Sequence, residues 1–142
     1  MTNVVLLGST GSIGTNALRV AAALPSHLKI VGLTAQRNDR LLLEQAARFG
    51  VREVALADPV AARRAAAAAP AGVTVHSGPE GVATLAGMEG ADIVLCAVVG
   101  IAGLRPVMAA IARGADVALA TKEVLVAAGG IVTDAARAAG VR

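Results

Sequence analysis

Three short stretches of this sequence carry residues whose types and spacing could do chemistry. The first is Gly8-Ser9-Thr10-Gly11-Ser12-Ile13-Gly14. Its glycines allow a tight turn and a close approach to the backbone, and the hydroxyls of Ser9, Thr10 and Ser12 add donors. A helix starting at about Ser12 leaves its first N–H groups unpaired and carries a partial positive charge at that end. Together these make a seat for a phosphate or pyrophosphate. The second stretch is Ala35-Gln36-Arg37-Asn38, where a guanidinium fork suits a phosphate in charge and shape. The third is Thr121-Lys122-Glu123. A lysine where a strand ends and a helix begins can orient an anionic or oxygen-rich substrate. Glu123 doubles as an acid that favours the helix dipole.

Positioning these stretches requires strands and helices in alternation. The apolar run Val4-Val5-Leu6-Leu7 leads into the glycine turn, and Ile13, Ala17, Val20 and Leu24 then recur at helical spacing. That spacing predicts one helical face turned to the core. Strand, glycine turn and helix in this order are the context in which such a turn binds nucleotides, though the spacing is G-x-x-G-x-x-G rather than the commoner G-x-G-x-x-G.

Further along, a strand is predicted over 28–34. A helix follows, capped by Asn38 or Asp39, with Asp39 the preferred cap, and it stops at Gly50. A strand over 53–57 comes next. Asp58-Pro59 then opens an alanine-rich helix that Pro70 closes. The remaining expectations are a strand over 73–76, a short helix over 80–85, and a strand over 92–98 read as the most buried of all. A helix then runs from Arg105 or Pro106 to Arg113, followed by a strand over 116–120. The last helical region breaks at Gly129-Gly130. The alternation implies an α/β fold: a doubly wound, mainly parallel sheet with helices on both faces, whose ligands bind at the carboxyl ends of the strands.

Bulk composition narrows the function classes. The chain has 142 residues, enough for one domain with a real core. It is 56% apolar and 1% aromatic, with Phe49 the only aromatic residue. A mean hydropathy of +0.68 raises the question of a membrane span. The longest apolar stretch, 93–104, is cut by Gly100 and Gly103 and falls short of the about 20 residues a spanning helix needs. No signal-peptide pattern precedes the first apolar run. Cys96 is alone and sits in an apolar stretch, which reads as a buried core thiol in a cytoplasmic protein. The net charge is +3, but the cations are scattered and lack an aromatic platform, so neither nucleic acid nor membrane is expected as a partner.

The choice of dinucleotide turns on the end of the second strand. An acid there holds a ribose 2′-hydroxyl; a 2′-phosphate needs positive charge instead. Arg37 stands at that end, with Arg40 a turn later, which favours NADP(H). No two acidic residues show a metal-ligand spacing, and His27 and His76 read as isolated surface or turn histidines.

Two further stretches sharpen this reading. Val98-Val99-Gly100-Ile101-Ala102-Gly103-Leu104-Arg105-Pro106 follows one strand, and Ala118-Leu119-Ala120-Thr121-Lys122-Glu123-Val124-Leu125-Val126 ends the next. With the glycine turn and Ala35-Gln36-Arg37-Asn38, in this order and spacing over nearly the whole chain, the sequence resembles the N-terminal NADPH-binding domain of the 1-deoxy-D-xylulose 5-phosphate reductoisomerases. The resemblance implies a Rossmann-like domain over 1–142, with the catalytic and C-terminal domains of the family outside it. It implies an enzyme of the non-mevalonate isoprenoid route that rearranges and reduces 1-deoxy-D-xylulose 5-phosphate to 2-C-methyl-D-erythritol 4-phosphate. NADPH and a divalent metal (Mg or Mn) serve that reaction, the metal belonging to the catalytic domain, and the enzyme is expected to be a homodimer.

Carried over by position, Thr10, Gly11, Ser12 and Ile13 would hold the pyrophosphate and Gln36, Arg37 and Asn38 the adenosine end. Thr121 and Glu123 would lie by the cofactor, and Lys122 would reach the substrate. The family commonly has Gly, Asn and Ser where this chain has Gln36, Thr121 and Val124. Two alternatives stand beside this reading: a free-standing NADP(H)-binding module or split-enzyme subunit, and the cofactor domain of another dehydrogenase, such as a semialdehyde or homoserine dehydrogenase.

Overall fold

The strand–helix alternation read from the sequence is realised in full in a computed structural model that describes residues 1–142. The strands are β1 (Thr2–Leu7), β2 (Leu28–Ala35), β3 (Glu53–Leu56), β4 (Thr74–Ser77), β5 (Ile93–Cys96) and β6 (Asp116–Leu119). The helices are α1 (Ser12–Ala23), α2 (Asp39–Phe49), α3 (Pro59–Ala68), α4 (Gly78–Ala86), α5 (Leu104–Ala112) and α6 (Glu123–Ala139). A 3-10 turn, Gly100–Gly103, precedes α5. All strand pairs are parallel, in the order β4-β3-β2-β1-β5-β6. The fold is therefore a doubly wound α/β sheet of the Rossmann type.

This order explains the two layers of helices. The chain first steps outward from β1 to β4, then returns to the far side of β1 and steps outward again to β6. Crossovers of one hand put helices on opposite faces when the direction of travel reverses. Side chains alternate accordingly. Val4 and Leu6 join Leu18, Leu42 and Ala61 in one core cluster, on the face of α1, α2 and α3. Val5 and Leu7 join Leu85, Val107 and Val124 in the other, under α4, α5 and α6. Cys96 is buried in this second cluster, and burial pushes its thiol pKa up.

Several expectations need correction. In α1 the inward residues are Gly14, Leu18 and Ala21. Ile13, Val20 and Leu24 are 43%, 52% and 44% exposed, so the expected apolar face is not the core face. The reason is Gly14, which must meet the backbone of the glycine turn and thereby sets the rotation of the helix. The most buried strand is β1, whose Val4–Leu7 are all buried; β5 alternates, with Val94 and Cys96 buried and Ile93 and Leu95 only partly covered. These two residues instead line an open apolar groove of about 310 Å3 beside Ala17 and Val20. Asn38, not Asp39, caps α2, its Oδ1 accepting from Leu41 N at 3.2 Å. The break expected at Gly129-Gly130 is present, one residue earlier, where Ala128 leaves helical geometry (φ −144°, ψ 28°) and α6 kinks. His76 is a half-buried strand residue whose Nε2 lies 2.7 Å from Glu53 Oε2.

Asp39 has another partner. Arg64 Nη2 donates to its Oδ1 at 3.1 Å, linking α3 to α2. That hydrogen bond holds the Asp39 carboxyl below its ordinary value of 3.8. A depressed folded-state pKa contributes stability above the unfolded pKa and loses it as pH falls through the folded one. Carbon-detected NMR titration is therefore expected to place Asp39 below 3.8, and Arg64→Ala to return it towards 3.8. The stability gap between the two proteins should be present at neutral pH and vanish in acid; a gap unchanged in acid refutes the link.

Candidate functional site

The glycine turn is built at the junction of three strands. Gly8 leaves β1 with φ +83°, and a Cβ there would lie 2.9 Å from Ala97 O at the end of β5. Its N–H donates to Thr34 O and Thr34 Oγ1, both at 3.1 Å, and Ser9 N–H donates to Thr34 O at 2.8 Å. The end of β2 thus fixes the turn from one side. Gly14 fixes it from the other: a Cβ on Gly14 would lie 2.1 Å from Gly8 O and 2.6 Å from Ser9 Cα. Only a glycine lets α1 cross the turn this closely.

The result is a helix start left open. Gly11 takes the N-cap position with no side-chain hydrogen bond. The N–H groups of the first turn of α1 therefore have no protein acceptor, and Gly11, Ser12 and Ile13 are exposed. Beside them lies a cavity of about 380 Å3. Gly8, Thr10 and Gly11 of the turn, Thr34 and Ala35 of β2 with Gln36 just after it, and Ala97–Val99 after β5 form most of its wall. This is the point where strand order reverses, at the carboxyl ends of the strands, where sheets of this kind bind ligands. A cavity of similar size, about 400 Å3, lies between Leu43 and Val73 at the opposite edge of the sheet, away from these donors.

All ten sequence-predicted residues stand at the carboxyl edge. Thr10, Gly11 and Gln36 line one cavity. Arg37 and Asn38 follow Gln36 on the exposed surface, and Arg37 takes part in no ion pair. The nearby acid, Asp39, is occupied by Arg64. Thr121 donates its hydroxyl to Val98 O at 3.0 Å, tying the end of β6 to the cavity wall. Lys122 is exposed at the N-cap of α6, also without an ion pair. Glu123 opens α6, and its Oε2 is buried with no hydrogen-bond partner. Val124, where the resembled family has serine, is fully buried in the core and suits an apolar side chain.

One expected donor faces the other way. Ser9 is completely buried, and its hydroxyl donates to Gln45 Oε1 at 2.7 Å. It cannot serve a ligand. Gln45 and Thr34 went unnoticed in the sequence; the available signal was a glutamine three residues after Leu42, on the inward face of α2. No three His, Cys, Asp or Glu side chains come together as a metal-holding group.

A family model described as 1-deoxy-D-xylulose 5-phosphate reductoisomerase matches residues 4–129. The chain belongs to this family. The reductoisomerase of Moorella thermoacetica is 45% identical over 135 residues, which are 94% of this chain and 35% of that protein. The reductoisomerase of Zymomonas mobilis, solved in complex with NADPH, is 38% identical; it matches 99% of this chain and 37% of its own, with a TM-score of 0.91. Another reductoisomerase, solved with NADPH, fosmidomycin and magnesium, is 32% identical and matches 99% of this chain and 35% of its own, with a TM-score of 0.92. Both of these solved reductoisomerases thus carry NADPH, and the chain spans about a third of the relatives' length.

The two glycines of the turn should behave differently on substitution. A Cβ on Gly14 meets backbone at 2.1 Å, whereas on Gly11 its nearest neighbour is Gly8 O at 3.7 Å. Gly14→Ala is expected to cost about 3 kcal/mol or more, seen as a Tm lowered by roughly 10 °C. Gly11→Ala, at an N-cap where alanine is poorer than glycine, should lower Tm by no more than about 4 °C. Equal Tm values for the two variants refute the close crossing.

Proposed function

We propose that residues 1–142 form the NADPH-binding portion of a reductoisomerase that converts 1-deoxy-D-xylulose 5-phosphate to 2-C-methyl-D-erythritol 4-phosphate, a reaction of the non-mevalonate isoprenoid route. The observation that carries this reading is an uncapped helix start at the switch point of the sheet, beside a cavity whose wall includes Gln36, next in sequence to Arg37, which takes part in no ion pair. The family match over 4–129 supports the identity of the reaction.

In this reading Thr10, Gly11, Ser12 and Ile13 hold the pyrophosphate, the open N–H groups of Thr10, Ser12 and Ile13 donating to it with help from the positive end of α1, while the Gly11 N–H stays on Gly8 O. Gln36, Arg37 and Asn38 hold the adenosine end, with the Arg37 guanidinium on the 2′-phosphate. Thr121 keeps the end of β6 against Val98 through its hydroxyl, which shapes the cofactor's side of the cavity. The buried, unpartnered Oε2 of Glu123 needs a donor, and a ribose hydroxyl of the cofactor supplies one. Lys122 presents its ammonium group to the anionic substrate. Bound NADPH supplies the hydride of the reduction. The divalent metal has no ligand set among these residues. Its site, and the remaining substrate contacts, belong to the two thirds of the relatives' length that this chain does not span. The family resemblance extends the proposal to a homodimeric, cytoplasmic complete enzyme.

Calorimetric titration of the 142-residue chain tests the cofactor assignment. NADPH is expected to bind about 10- to 100-fold more tightly than NADH, the worth of a charge-assisted phosphate contact. Arg37→Ala should abolish that difference while leaving NADH binding unchanged. If neither nucleotide binds the folded chain, the proposal falls; if Arg37→Ala keeps the full preference, Arg37 does not read the 2′-phosphate.

A further inference from the structure

Gln45 is an amide where the fold calls for an apolar residue. It lies on the inward face of α2 between Leu42 and Ala46, both core residues, and is only 7% exposed. Burying an amide is costly unless both its halves are hydrogen-bonded. Here both are, and both to one residue. Ser9 Oγ donates to Gln45 Oε1 at 2.7 Å, and Gln45 Nε2 donates to Ser9 O at 3.0 Å. With Ser9 N–H given to Thr34 O, every polar atom of Ser9 is engaged. After it, the Gly11 N–H closes the turn onto Gly8 O at 3.4 Å, while the N–H groups of Ser12 and Ile13 stay open at the start of α1. Ser9 is therefore the fixed point of the turn, and the open donors are cantilevered from it.

The same helix reaches the second stretch of the site. α2 is capped by Asn38, which lies two helical turns before Gln45. A single rigid element thus joins the segment 36–38 to the glycine turn. We propose that Gln45 is a positioning residue for dinucleotide binding: its paired hydrogen bonds with Ser9 preset the turn, and α2 keeps that turn in register with the segment that holds the adenosine end. The inference rests on the dinucleotide reading above.

Two substitutions separate this role from general stabilisation. Gln45→Met keeps the volume and removes both hydrogen bonds, leaving Ser9 O and Oγ unpaired. Gln45→Glu keeps the shape. When ionised, it accepts from the Ser9 hydroxyl but has no proton for Ser9 O, and it sets a negative charge beneath the pyrophosphate. When protonated, it restores both bonds. The probe is NADP⁺, titrated into the 142-residue chain.

Gln45→Met is expected to bind NADP⁺ about tenfold more weakly than wild type, with faster hydrogen exchange at the amides of Gly11–Gly14. The affinity of Gln45→Glu relative to wild type should recover as pH falls from about 8 to about 5.5, since burial raises a carboxyl pKa. A merely structural glutamine gives no such recovery. Ser9→Ala, which keeps the Nε2 bond, should lose about threefold and carries the test with Gln45→Glu if Gln45→Met does not fold. Variant affinities equal to wild type, or a Gln45→Glu to wild-type ratio flat with pH, overturn the proposal while leaving the dinucleotide reading intact. A wild-type chain that binds no NADP⁺ overturns both.

Discussion

The structure depends on one close approach, that of Gly14 to the carbonyl of Gly8. No other residue fits between α1 and the turn, since even a methyl group would lie 2.1 Å from that oxygen. The contact sets the rotation of α1, which turns Leu18 and Ala21 to the sheet and Val20 to the surface. It also leaves the helix start uncapped and pointing along the carboxyl edge. The position of β1 between β2 and β5 completes the arrangement, because Thr34 from one neighbour and Ala97 from the other hold Gly8 between them.

The small-residue composition serves the same geometry. The core is filled by Val, Leu and Ala, and Phe49 only packs against its rim. Ala61, Ala62 and Ala65 let α3 lie close on β3 and β4. Gly103 sits where a Cβ would meet Cys96 Sγ at 2.8 Å, so the 3-10 turn before α5 also packs directly on the sheet. A core of large aromatics would hold these elements apart and widen the gap that the turn must span.

The alternation of elements was legible in the sequence because each helix had a local signal. Asp58-Pro59 starts α3, with the Asp58 side chain accepting from Val60 N–H, and Gly50 ends α2 in the left-handed conformation. The stretches at the carboxyl edge were legible for a related reason: turns and helix starts are written in Gly, Ser and Arg. The inward face of α1 was not legible. Hydrophobic periodicity favours Ile13 and Val20, but a backbone contact of Gly14 outranks it, and periodicity contains no term for backbone crossing. The clamp on Ser9 was hidden because its partner, Gln45, lies 36 positions away. Side-chain type alone cannot tell a hydroxyl that faces a ligand from one that faces an amide. The half-covered face of β5 was equally invisible, since an apolar run reads the same whether one or both sides are fully covered.

The strand order also governs how the chain can be assembled as it is made. β1 is made before the strands that flank it yet occupies the interior of the sheet, and Asn3 meets Asp92 across 89 positions. Until β5 emerges, the edge of β1 that β5 will take is an apolar strand with unpaired backbone groups. Such non-local parallel pairing is slow and exposes sticky edges meanwhile. A sheet of this order cannot close around its most apolar strand until the chain has been made as far as β5.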